Sequence, residues 1–66
     1  MYRIFISDRK RKYYLVDVIA ADGMEHPVFD TDMRRAMPFL TLRTAMDCRT
    51  RLIAMGHDPH IESYVR

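Results

Sequence analysis

His57, Asp58 and His60, with Cys48 one helix length upstream and His26 on a separate stretch, are residue types that bind zinc. Structural zinc sites bring their ligands in pairs from two chain segments. Only His57-x-x-His60 has the spacing of such a pair. The same stretch also reads as a helix stop. Gly56 suits the left-handed position past a helix end, Pro59 prevents continuation, and a histidine near a helix C-terminus interacts well with the dipole. The stop is the preferred reading, and no metal or cofactor is expected.

Catalysis needs a nucleophile, a base and an orienting group within mutual reach. No spacing in the chain assembles them, and no Gly-rich phosphate loop, nucleophile elbow or metalloprotease helix is present. Cys48, the only cysteine among 66 residues, fits a small buried hydrophobe. A chain of this length has little room to enclose a ligand pocket, so a non-enzymatic protein is expected.

Two charged features remain. Arg9-Lys10-Arg11-Lys12 is the one basic cluster, placed where it could reach a phosphate backbone. Together with Phe5, Tyr13 and Tyr64 it resembles, in physical terms only, the stacking sheets of single-stranded RNA binders. The glycine-aromatic strand signature of those modules is absent and the order of elements differs. Charged hairpin tips also keep sheet edges soluble without any ligand. Arg49 falls by helical angle among Leu42, Met46, Leu52 and Ile53, where a charge must be paired or must snorkel past the helix edge. Asp17, Asp30, Glu62 or an acidic group of a partner could meet it.

The elements that position these residues follow from hydrophobic pattern and turn chemistry. Tyr2–Ser7 and Tyr13–Ala20 are β-branched and aromatic, and the polar run 8–12 separates them, which predicts a hairpin with a five-residue loop. Setting Ser7 opposite Tyr13 places Tyr2, Ile4, Ile6, Tyr14, Val16 and Val18 on one apolar face. It pairs Phe5 with Leu15 and Arg3 with Asp17 on the other. Asp22-Gly23 predicts a type I′ turn into a third strand, Met24–Phe29. Under that register Phe29 meets Val16, Val28 lies opposite Asp17, and Pro27 makes the strand an edge.

After a polar connection at Asp30–Arg35, the helix is expected to begin beyond Pro38, with Thr41 as N-cap and Leu42, Ala45, Met46, Leu52, Ile53 and Gly56 on its inner side. A closing strand, His60–Val65, follows with Ile61 and Val65 inward. It should run parallel to the strand before the helix and lie beside the first strand. The expected fold is α+β over a single domain, residues 1–66. It is a small mixed, mainly antiparallel sheet in the order β-β-β-α-β, with one helix on one face.

One helix covers one face of a sheet. The other carries Phe5, Tyr13, Leu15, Ile19, Val28 and Tyr64 beside Arg3 and Asp17, unless the segment 30–40 folds back over it. An apolar patch of that size rimmed by polar groups marks an interaction surface, and aromatic residues are what interface centres favour. Binding to another protein, or to a second copy in a homodimer, through this face and an edge strand is therefore the expected function, with Arg49 as a further contact. By analogy of size and class alone, such chains act as accessory subunits or as inhibitors of the phage and mobile-element type. A nucleic-acid-binding module using Arg9, Lys10, Arg11 and Lys12 is the alternative.

Composition fits this reading. Apolar residues make up 48% of the chain, which suits a folded domain. A net charge of +2 is too small to name a partner. A single cysteine excludes an intramolecular disulfide and makes a reducing, cytoplasmic location the expectation. No apolar run approaches the roughly 20 residues of a membrane span, and the N-terminus opens into a strand pattern instead of a signal sequence.

Overall fold

In a computed structural model that describes residues 1–65, three strands come first: β1 (Tyr2–Asp8), β2 (Arg11–Ala21) and β3 (Met24–Asp30). A 3-10 turn (Met33–Arg35), the helix α1 (Leu42–Ala54) and the closing strand β4 (His60–Ser63) follow. The strands form one sheet in the order β3-β2-β1-β4. The α+β class, the order of elements and the place of β4 beside β1 are as expected. The direction of β4 is not: every strand pairing is antiparallel, so among the described residues the sheet contains no parallel strand pair. The cause is the segment between β3 and α1. Its Phe39 N–H and C=O exchange two 2.8 Å hydrogen bonds with Tyr2 at the start of β1, in an antiparallel bridge. The chain thus crosses the sheet once more before the helix begins, which reverses the sense in which α1 delivers β4.

The first hairpin is tighter than expected. Asp8 pairs with Arg11, Ser7 with Lys12, Ile6 with Tyr13 and Phe5 with Tyr14, so only Arg9 and Lys10 form the turn. Both lie at positive φ, 50° and 68°, the left-handed pair of a type I′ turn, whose twist matches that of the strands it joins. This register is slipped by one residue from the expected one, and a slip of one exchanges faces. Tyr13 and Leu15 therefore move from the outer face to the helix side, and Tyr14 moves out. A bulge between Leu15 and Asp17 absorbs the extra residue at Val16. Downstream of it the expected phase returns, with Asp17 opposite Val28 and Asp22-Gly23 turning at positive φ. Phe29 meets Leu15 instead of Val16.

Leu15 and Ile4 are fully buried and form the core with Cys48 and Leu52 of the helix. Val18, Phe29, Met37, Phe39 and Ile61 pack around them. Each such aliphatic side chain contributes about 1.5–3 kcal/mol when fully removed from water. Beyond Phe5–Tyr14 the strands β1 and β2 diverge, and the segment 37–39 enters the fork. The Met37 N–H donates to the Leu15 C=O at 2.8 Å, and Phe39 takes both backbone groups of Tyr2.

The helix has the expected ends. Thr41 Oγ1 accepts from the Thr44 N–H at 3.2 Å. At the other end the Gly56 and His57 N–H groups donate to the carbonyls of Ile53 and Leu52 at 2.9 and 3.1 Å, the Schellman pattern, with Gly56 at φ +94°. Its buried face is Ala45, Cys48 and Leu52, which keeps Ala45 and Leu52 of the expected stripe and is centred about a fifth of a turn round from it at roughly 100° per residue. The small Cys48 side chain lets the helix sit close to Ile4 and Leu15. Leu42, Met46 and Ile53, expected inside, remain 47, 49 and 48% exposed. Val65, expected inward, lies past the end of β4 and faces solvent.

Candidate interaction surface

The face of the sheet opposite α1 is built by strand alternation. Phe5 stands beside both Tyr14 and His60, and Arg3 beside Glu62. Arg3 Nε donates to Glu62 Oε1 at 3.0 Å, in place of the expected pairing with Asp17. Its guanidinium carbon lies 4.4 Å from the Tyr64 ring centre and 5.5 Å from that of Tyr14. A cation on an aromatic face is held by the ring quadrupole. The carboxylate at Nε and the two rings therefore hold the guanidinium in place, and its terminal nitrogens make no hydrogen bond among the described residues.

Next along the face, His60 stacks on Phe5 with ring centres 5.3 Å apart, and Phe5 meets Tyr14 at 6.0 Å. Lys12 Nζ lies 4.3 Å from the Phe5 ring centre and 3.7 Å from Glu62 Oε2. Lys12 thus leans back from the hairpin tip over the sheet. Arg9, Lys10 and Arg11 stay exposed at the tip.

The segment 30–40 covers one end of this face only. Met37 and Phe39 turn into the core. Met33, Arg34, Ala36 and Pro38 form one wall of an open groove of about 420 Å³, and Arg3 and Tyr64 form the other. Local hydrogen bonds shape that wall. Asp30 Oδ1 accepts from the Asp32 N–H at 2.9 Å and its carboxylate also pairs with Arg35, while Asp32 Oδ1 accepts from the Arg34 backbone N–H at 3.0 Å. The Arg34 side chain returns to the Asp32 carboxylate and, with that backbone bond, holds its pKa below the usual range.

Of the outer-face residues expected from sequence, Arg3, Phe5, Asp17, Ile19, Val28 and Tyr64 lie on that side, the middle three on the β2–β3 half. Tyr13 and Leu15 do not. Tyr13 sits across from Ile6 on the helix side, and Leu15 is core. Three others stand on this face: Tyr14, expected on the helix side, His60, considered only as a metal ligand, and Glu62, considered only as a partner for Arg49. Strand alternation around Tyr64 could have found the last two, whereas Tyr14 required the correct hairpin register. Arg49 lies at the helix edge, where its Nε donates to the Pro59 carbonyl at 3.3 Å. None of the expected carboxylates meets it, since Asp30 is bound to Arg35 and Glu62 to Arg3 and Lys12.

His57, His60 and Cys48 do not converge. His57 packs on Phe29 with ring centres 5.3 Å apart, His60 is on the opposite face, and Cys48 is in the core. Among the described residues no three His, Cys, Asp or Glu side chains gather as a metal site would require. Burial raises the Cys48 thiol pKa, with Arg51 opposing in part. Among the described residues no helix is long and apolar enough to cross a membrane. No protein-family model, curated protein or solved structure matches the chain.

Proposed function

We propose that this protein is a non-enzymatic interaction module that docks another protein on the outer face of its sheet, as a small accessory subunit or inhibitor would. The observation that supports this best is Arg3, whose guanidinium lies within cation–π reach of the buried Tyr14 and of Tyr64 beside an open groove. Arginine and tyrosine are the residues in which binding energy concentrates at interfaces, and here their rotamers are ordered before any partner arrives, which lowers the entropy lost on binding.

Nucleic acid is the competing occupant, and one feature favours it: Arg9 and Lys10 occupy left-handed positions that glycine or asparagine would fill with less strain. Against it, the aromatic platform is divided, since Tyr13 is on the helix side and Phe5 lies under Lys12 and His60. Capture from a native lysate, with and without nuclease, separates the two. Wild-type protein should retain a protein partner through nuclease and high salt, and Arg3→Ala with Tyr64→Ala should release it. Recovery that disappears with nuclease, or with neutralisation of the hairpin tip alone, refutes the proposal.

A further inference from the structure

Arg3 is a cation with more donors than partners. Its side chain is only 15% exposed. A guanidinium carries N–H groups on all three nitrogens, and among the described residues only the one on Nε has an acceptor, Glu62 Oε1 at 3.0 Å. Glu62 does not balance Arg3 alone, because its other oxygen lies 3.7 Å from Lys12 Nζ. Two cations therefore share one carboxylate, and one positive charge is left over. The acids of the segment after β3 are engaged elsewhere, Asp32 with Arg34 and Asp30 with Arg35. Among the described residues no fully buried side-chain nitrogen lacks a partner, so the free terminal nitrogens of Arg3 keep accessible surface, and the groove is the opening that Arg3 lines.

The groove supplies the rest of a binding site. Its lining residues are Arg3, Met33, Arg34, Ala36, Pro38 and Tyr64, with no carboxylate among them. Arg34 is held by Asp32 through Nε and one terminal nitrogen, at 3.2 and 3.4 Å. That pair is close to neutral, so the seat for an anion is at Arg3. Around the seat the walls are apolar, formed by Met33, Ala36, Pro38 and the Tyr64 ring. Tyr64 is fixed there by its N–H, which donates to the Met1 C=O at 2.9 Å, and by the Arg3 guanidinium carbon 4.4 Å from its ring centre. The groove thus complements an anion flanked by apolar groups. Stacked bases are poorly served, since one face of Tyr64 is covered by Arg3 and Tyr14 is buried.

We infer that the partner segment docked in this groove is an acidic peptide: a short stretch of another protein with an Asp or Glu whose carboxylate takes the terminal nitrogens of Arg3, next to an apolar residue that packs on Tyr64, Pro38 and Met33. The inference rests on the docking role proposed above and adds the chemistry of the partner. Arginine recognises a carboxylate with two parallel hydrogen bonds, which fixes orientation as well as adding energy. The incoming carboxylate also leaves Arg3 and Lys12 facing two carboxylates, so binding balances a charge instead of burying a new unpaired one. At about 420 Å³ and open to solvent, the groove suits a chain laid across it better than a small molecule, whose sites enclose most of the ligand surface.

A displayed library of random linear peptides, selected on the full chain and followed by titration of the selected sequences as synthetic peptides, tests the inference. The binders should share an Asp or Glu beside an apolar residue, and replacing that acid by its amide should weaken binding at least tenfold. Met33 supplies the deciding pair of variants, because it lines the groove, is 47% exposed and lies outside the core. Met33→Lys should hold or tighten the acidic peptides and Met33→Glu should weaken them at least tenfold, with the far-UV spectrum unchanged in both. Arg3→Lys, which keeps the charge and loses the fork, should weaken them as well. Selection without an acidic consensus overturns the inference, and so does equal weakening by Met33→Lys and Met33→Glu, the behaviour of a purely apolar groove. Displacement of the peptides by a single-stranded oligonucleotide of random sequence at lower concentration than by free peptide also overturns it and assigns the site to phosphate. The docking role is judged apart from this by the lysate capture: a partner retained through nuclease and released by Arg3→Ala with Tyr64→Ala, but not competed off by the acidic peptides, leaves that role standing and removes the inference.

Discussion

The tight first hairpin makes a quantitative prediction. Arg9 and Lys10 both hold positive φ, and an L-residue there is destabilised by roughly 1–2 kcal/mol. Replacing the pair by Asn-Gly keeps the type I′ turn and removes most of that strain. Glycine gives back about 0.5–1 kcal/mol through the freedom it gains in the unfolded chain. The net stabilisation should be about 1–2 kcal/mol, a large share of the roughly 3–10 kcal/mol expected for a domain of this length. The melting temperature should then rise by about 5–15 °C, at 4–8 °C per kcal/mol for a small domain. Urea denaturation followed by far-UV circular dichroism measures the first figure and a thermal scan the second. Arg9→Ala with Lys10→Ala is the control, because it removes the same two charges while leaving L-residues in left-handed positions, and it should not stabilise. A flexible five-residue loop would gain nothing from Asn-Gly. Stability that is unchanged or lower in that variant therefore refutes the two-residue turn, and equal stabilisation by the alanine control refutes strain as its cause.

Two further outcomes follow from the register and the core. Leu15→Ala should destabilise by about 2–5 kcal/mol, the range for a buried leucine, whereas Leu42→Ala, half-exposed on the helix, should change stability by under about 1 kcal/mol; comparable denaturation midpoints for the two variants would return Leu15 to the surface. Cys48, buried and with its pKa raised, should react with a thiol reagent orders of magnitude more slowly in the native protein than in urea, and fast native labelling would mean that the helix does not close over it.

Local signals located most elements. Asp22-Gly23 specified its turn because few residue pairs accept positive φ, and Thr41 and Gly56 marked the helix ends because each satisfies backbone groups that a helix leaves unpaired. The outer face was legible as a face and misread in membership. Arg9-Lys10 carries no turn signature, so the hairpin was read too wide, and one residue of slip exchanged Tyr14 with Leu15. The bulge at Val16 has no marker in sequence either, since it exists to reconcile two registers set by two separate turns.

What the sequence by itself determined was the α+β class, the order of elements, the helix with its caps, and the three-strand meander, all of which depend on residues close together in the chain. Tertiary structure decided which apolar helix stripe is buried, the direction of β4, the partners of Arg3 and Arg49, and the groove beside Tyr64. Each of these depends on contacts between residues far apart in sequence. The helix offers two overlapping apolar stripes, and only the fit of Cys48 and Leu52 against Ile4 and Leu15 chooses between them. The fork between β1 and β2, filled by Met37 and Phe39, exists only once the strands have diverged. By turning the chain there, it sets the direction of everything that follows.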